Sequence, residues 1–129
     1  MKLKNMVLIL ISICMVALLA GCGNKVDDVT AQKYAGKAEE VIQLLNAGEY
    51  DSIMEQFDET MKANLTAEQL AQIEPVLTAS GEFKGIGKQT VEEKDGMKIV
   101  VLVANYSEDK RIFTITYDAN DKIAGFFVK

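Results

Sequence analysis

The sequence predicts an α+β domain, with three helices followed by a four-stranded antiparallel meander, and two changes along the chain are the reason. Apolar residues between positions 34 and 77 recur at helical spacing, whereas after Gly81 the period drops to two. Three short turn signals, Asp95-Gly96, Glu108-Asp109 and Asn120-Asp121, then cut the remainder into four segments of strand length. Helices grouped ahead of strands, rather than alternating with them, point to helices packed on one face of an antiparallel sheet.

The first helix is carried by Tyr34, Ala38, Val41, Ile42 and Leu45, which fall on one face, and Gly48 stops it. A second helical segment begins near Tyr50-Asp51, with Ile53, Met54, Phe57 and Met61 on one side. Thr66-Ala67-Glu68-Gln69 is a capping-box pattern that opens a third, with Leu70, Ile73 and Leu77 inward. Pro75 removes one intrahelical hydrogen bond there, so a kink or restart is expected. Gly81 closes the helical half.

The strands are expected at about 83–94, 97–107, 110–118 and 122–128. Asp95-Gly96 is a strong type I′ signal, and the other two turns are weaker ones of the same length. Two-residue loops pair Lys94 with Met97, Ser107 with Lys110 and Ala119 with Lys122, which assigns every side chain to a face. One face collects Phe83, Val91, Val100, Leu102, Ala104, Tyr106, Phe113, Ile115, Tyr117, Ala124, Phe126 and Val128, and should meet the helices. The other collects Ile86, Lys88, Thr90, Glu92, Asn105, Thr114, Thr116 and Ile123 together with Met97, Ile99, Val101, Val103, Ile112 and Phe127. The last six form a band more apolar than a solvated face requires. They are the candidate contact face, and the expected partner is a second copy, another protein or a small molecule.

The N-terminus reads as an export signal. Lys2 and Lys4 precede an apolar run from Met6 to Leu18, too short to span a bilayer comfortably, and a small-residue processing site follows. That site, Leu19-Ala20-Gly21-Cys22, resembles the lipobox of bacterial lipoproteins. The resemblance implies diacylglyceryl and palmitate on Cys22, cleavage before it, and an extracytoplasmic domain anchored at the cell membrane. Residues 1–21 are then the signal peptide, 22–29 a lipidated tether and 30–129 one domain. Cys14 leaves with the signal, so no intramolecular disulfide is expected. Two acyl chains hold a protein stably where one does not.

Composition excludes several chemistries. The chain has no His, which removes imidazole-based catalysis and imidazole metal cages. Beyond residue 21 it has 12 basic and 19 acidic groups, a net charge of −7, unsuited to nucleic acid. The imbalance lies wholly in residues 22–79, which carry 4 basic and 11 acidic groups. Gly85-Ile86-Gly87 precedes a strand and not a helix, so it reads as a bend and not a phosphate loop. Asp118-Ala119-Asn120-Asp121 lacks the central Gly and distal Glu of a calcium loop and reads as a turn. No metal or other cofactor is expected.

From Val41 to Val128 the chain resembles a bacterial extracytoplasmic family of unknown function, number 3887 among such domains. The matching pieces are Gly48-Glu49-Tyr50-Asp51 with Phe57-Asp58, then Leu65-Thr66 with Glu68-Gln69-Leu70, then Gly81-Glu82-Phe83-Lys84 and Lys122-Ile123-Ala124-Gly125-Phe126. Pro75 departs from the pattern, standing where an aromatic is expected. The resemblance implies a nuclear transport factor 2-like, cystatin-like cone, and a family found in lipoproteins or ahead of secreted hydrolases. It defines no catalytic residues.

Enzymes on that fold place carboxylates and a tyrosine inside the cone, so the candidate cavity lining is Tyr106, Phe113, Tyr117 and Phe126. The eight acidic residues of the sheet half all fall at strand ends or in turns. A buried base would have to come from a helix, where Glu40, Asp51, Glu55 and Asp58 read as solvated positions or caps. The expectation is therefore an anchored, non-catalytic binding module. The alternative is a small isomerase or dehydratase that uses Asp58 or another helix carboxylate with Tyr106 or Tyr117.

Overall fold

The computed structural model describes residues 24–129. The expected signal peptide and Cys22 lie outside them. Five strands form one antiparallel sheet in sequence order: β1 (Asn24–Lys25), β2 (Phe83–Lys94), β3 (Met97–Tyr106), β4 (Lys110–Tyr117) and β5 (Ile123–Val128). Between β1 and β2 come α1 (Asp28–Asn46), α2 (Tyr50–Met54), α3 (Glu59–Asn64), α4 (Ala67–Ala71) and α5 (Glu74–Ser80). The α+β architecture is as expected, but the element count is not. Among the described residues there are five helices where three were expected and five strands where four were.

Each extra element has a local cause. Asp58 interrupts the apolar run of the second segment by accepting the Met61 amide at 2.7 Å, so it caps α3. The preceding turn is pulled onto the sheet, where the Asp58 and Ile123 amides bond to the Ile123 and Gln56 carbonyls at 2.9 and 2.7 Å. The third segment has both halves of its capping box, Thr66 and Gln69, and Pro75 starts α5 as a new helix instead of kinking the old one. β1 is only two residues long and pairs Asn24 with Glu93 and Lys25 with Glu92, within the stretch read as a tether.

α1 opens on Asp27, whose carboxylate accepts the Thr30 amide, and buries Tyr34, Ala35, Ala38, Val41, Ile42 and Leu45. It ends in a Schellman motif. Gly48, at φ 76, bonds to the Leu45 carbonyl, and Glu49 bonds to that of Leu44. The buried faces of all five helices join one cluster with Val100, Leu102, Ala104, Phe113, Ile115, Tyr117 and Phe126.

The β2–β3 hairpin turns through Asp95 (φ 52) and Gly96 (φ 79), the type I′ geometry expected, and keeps the expected register from Lys94↔Met97 to Lys88↔Val103. Two corrections follow from bulges. A shift between Ile86 and Lys88 turns Ile86 onto the helix side opposite Ala104. A shift between Thr116 and Tyr117 does the same for Ile123, which is fully buried, and displaces Ala124. The third turn is longer than two residues, closing from the Asp118 amide to the Lys122 carbonyl at 2.8 Å, with Asp121 at φ 59. The second turn is Ser107-Glu108 and not Glu108-Asp109, because the amides of those two residues bond to Glu82 and Ser80. That slip moves each β3–β4 pair by two positions, so the faces are unchanged.

Candidate functional site

Three surfaces hold chemistry that the core does not use. The first is an open cleft of about 490 Å³ where the end of α1, the start of α2, α5 and the Phe83 end of β2 converge. Leu45, Leu77 and Phe83 supply an apolar wall, and Asn46, Tyr50, Glu74, Thr78 and Tyr106 supply polar groups. Gly48 and Gly81 (φ 91) end α1 and α5 at its rim, and both turn away in conformations that favour glycine. The Tyr106 hydroxyl donates to Asn46 Oδ1 at 2.8 Å, and its ring stands edge-on to Phe83 at 5.4 Å. Burial pushes the Tyr106 phenol above its usual range, opposed by the Asn46 hydrogen bond and the Arg111 charge. Burial and then the Glu74 charge raise that of Tyr50. Both phenols are hydrogen-bond donors at neutral pH and not bases.

The second is a cluster at the opposite end of the sheet. The Tyr34 hydroxyl donates to Asp121 Oδ1, and Lys33 reaches the other carboxylate oxygen at 3.3 Å. Lys33 and Lys98 lie over the Tyr34 ring at 5.0 and 5.6 Å, and Lys37 over the Tyr117 ring at 5.6 Å. The hydrogen bond to Asp121 holds the Tyr34 phenol up at about 12. The same bond, with help from Lys33, holds the Asp121 carboxyl below its usual range. The Asp121 side chain remains 36% exposed, so it is a surface carboxylate and not a desolvated one.

The third is the sheet face turned from the helices. Met97 and Ile112 are exposed there, and Ile99, Val101, Val103 and Phe127 are half-buried between their strand neighbours. Among the described residues nothing is packed over them. β1 extends the sheet at its β2 edge, and every helix gives its buried side chains to the other face.

Of the four residues read as cavity lining, Tyr106 alone lines the cleft. Phe113 and Tyr117 are fully buried and Phe126 nearly so, with Phe113 and Phe126 edge-on at 6.5 Å. Burial raises the Tyr117 phenol strongly, and its hydroxyl has no hydrogen-bond partner among the described residues. The six contact-face residues fall together on one face as expected. Cys22 lies outside the described residues. Asn46, Tyr50, Glu74 and Phe83 were not foreseen as cleft residues. The usable signal was Gly48 and Gly81, two helix-ending glycines whose flanking residues had to meet somewhere.

Residues 38–126 match the model of a family described as a protein of unknown function, DUF3887. The chain belongs to the DUF3887 family. The match runs from the middle of α1 to β5 and so includes both walls of the cleft and the apolar band up to, but not including, Phe127. No curated protein matches the chain. A protein from Ruminococcus gnavus ATCC 29149, solved by NMR, superposes with a TM-score of 0.65 at 26% identity, covering 81% of this chain and 96% of its own. That similarity extends the DUF3887 fold to a second chain and carries no statement of activity. Among the described residues no helix is long and apolar enough to cross a membrane.

Proposed function

We propose that this DUF3887 protein is an extracytoplasmic binding module, anchored by a lipidated Cys22 and built on a nuclear transport factor 2-like cone, that makes its contact through the outer sheet face without catalysing a reaction. The apolar band of Met97, Ile99, Val101, Val103, Ile112 and Phe127, uncovered by any described element, carries the reading. Contiguous apolar surface of this kind on a folded domain usually marks an interaction site.

The interior argues in the same direction. An isomerase- or dehydratase-like site needs a desolvated carboxylate within reach of a tyrosine. Here the space between helices and sheet is filled by Phe57, Phe113, Ile115 and Tyr117, all fully buried. The Tyr–carboxylate pair that does form, Tyr34 with Asp121, stands at the surface. Asp58, the helix carboxylate weighed for that role, is engaged in capping α3.

Crosslinking in native membranes, read by mass spectrometry, tests the contact. Crosslinks from β3 and β4 to a second copy or to another protein are expected, and Val101→Lys should abolish them. Crosslinks confined to the cleft rim around Asn46 and Glu74 would move the contact there and overturn the sheet-face reading. Intact-mass measurement of the same preparation reads the lipid separately.

A further inference from the structure

The position of β1 fixes more than an extra pair of hydrogen-bonded residues. Asn24 pairs with Glu93 and Lys25 with Glu92, at the Asp95-Gly96 end of β2. Only Gly23 therefore separates Cys22 from the hydrogen-bonded sheet. Two residue steps reach at most about 7 Å. β2 begins at the other end of the molecule, with Phe83 in the wall of the cleft. At the rise of a strand, Phe83 and Glu93 are about 30 Å apart.

We propose that the lipid on Cys22 holds the domain end-on to the membrane, with β1 and the Asp95-Gly96 turn beside the phospholipid headgroups and the Asn46–Tyr106 cleft facing away, about 30 Å further out. The inference rests on the lipidation of Cys22 proposed above. A free tether from 22 to 29 would let the domain tumble over the surface, but pairing of Asn24 and Lys25 with β2 removes that freedom. Charge is not what orients the domain. Lys98 pairs with Glu93 at 3.5 Å and Lys25 lies opposite Glu92, so neither sign prevails beside the bilayer.

Energy transfer tests this in the processed, lipidated protein added to preformed vesicles of phosphatidylcholine and phosphatidylglycerol containing a headgroup-labelled acceptor. A donor fluorophore is placed at Met97→Cys, beside the Asp95-Gly96 turn, or at Glu108→Cys, in the β3–β4 turn at the cleft end. The lipid on Cys22 leaves the introduced thiol as the reactive one. Transfer from position 97 should exceed that from 108 by at least about twofold over a separation of ~30 Å. Lys122→Cys, in the third turn, is a second probe of the near end and should behave like position 97. Equal transfer from both ends, or stronger transfer from 108, overturns the proposal. A long Gly-Ser insertion between Cys22 and Asn24 keeps the anchor and should abolish the difference, whereas persistence of the difference would show that the short tether is not its cause. Flotation separates the two levels: protein that does not float with the vesicles, with an intact mass lacking diacylglyceryl, refutes the lipidation itself.

Discussion

The Tyr34 hydroxyl hydrogen-bonds the Asp121 carboxylate across 87 residues of chain, fastening α1 to the turn between β4 and β5. The bond favours a neutral phenol and an ionised carboxylate, and the two preferences bound the pH range of stability. Tyr34 is raised from 10.0 to about 12, so its contribution is complete below pH 10 and is lost as pH rises through 12. Asp121 is lowered from 3.8, so its contribution is present above that value and lost as pH falls through the lowered one. Thermal melts across pH should show Tyr34→Phe costing about 1 kcal/mol at neutrality and weakening both limbs. A mutant profile parallel to that of the wild type at every pH would contradict this.

Two glycines should respond to alanine with opposite signs. Gly36 lies in α1 with nothing within 4 Å of the added methyl, so Gly36→Ala should stabilise by about 0.5–1 kcal/mol through helix propensity. At Gly81, φ is 91 and the methyl would run into Ser107 Oγ, which accepts the Glu82 amide at 2.9 Å. Gly81→Ala should destabilise by at least about 1–2 kcal/mol and loosen the rim of the cleft. Denaturant midpoints of the two variants on opposite sides of the wild type are the expected result.

Phe113 tests the shared core. It is fully buried, paired with Leu102 and Val128 across the sheet, and stacked edge-on to Phe126. Phe113→Ala should cost about 3–5 kcal/mol in chemical denaturation. A loss below about 1 kcal/mol would mean that the site collapses freely and that the two layers are not held together there.

The faces of the sheet were legible because they depend on parity alone. Moving the second turn from Glu108-Asp109 to Ser107-Glu108 shifted each pair by two and left Leu102 and Phe113 inward. The same argument failed at Ile86 and Ile123, since a bulge adds a single residue and reverses the faces beyond it. Gly85 and Gly87 marked the first bend, but nothing local marked the second. The helical half was readable wherever caps are local, as in Thr66-Gln69. It was misread between Phe57 and Met61, taken as one helix because their apolar spacing runs unbroken past Asp58, which caps a new one. The cleft was hidden for a different reason: Asn46 and Tyr106 meet across 60 residues, and neither position signals the other. β1 is too short to carry any periodicity.

Cys22→Ser should remove both the lipid and the cleavage that the lipobox directs, so intact mass should show the variant keeping residues 1–21 and lacking diacylglyceryl. The domain beyond it begins its core at Tyr34 and should fold unchanged, with the circular dichroism and melting temperature of the wild type. A serine variant cleaved before position 22 just as the wild type is would remove the lipobox as the explanation of processing.

Val101 stands at the centre of the outer band, opposite Thr90 on β2 and Thr114 on β4, and is half-buried by its strand neighbours rather than by another layer. A lysine there can carry its charge outward along the sheet surface, so the fold should survive with a change of under about 1 kcal/mol. Binding should not survive, because a charge in the middle of an apolar contact must be desolvated without a partner. If the strands stand upright from the membrane as proposed, two anchored copies would present this face side by side, so a second copy is the first partner to test. Light scattering of the detergent-solubilised protein should give a dimer for wild type and a monomer for Val101→Lys, with matching circular dichroism. An unfolded variant would show instead that the band is internal core. A wild-type monomer at high concentration, with crosslinks to a different protein that Val101→Lys removes, would keep the face as the site of contact and replace the second copy as its occupant.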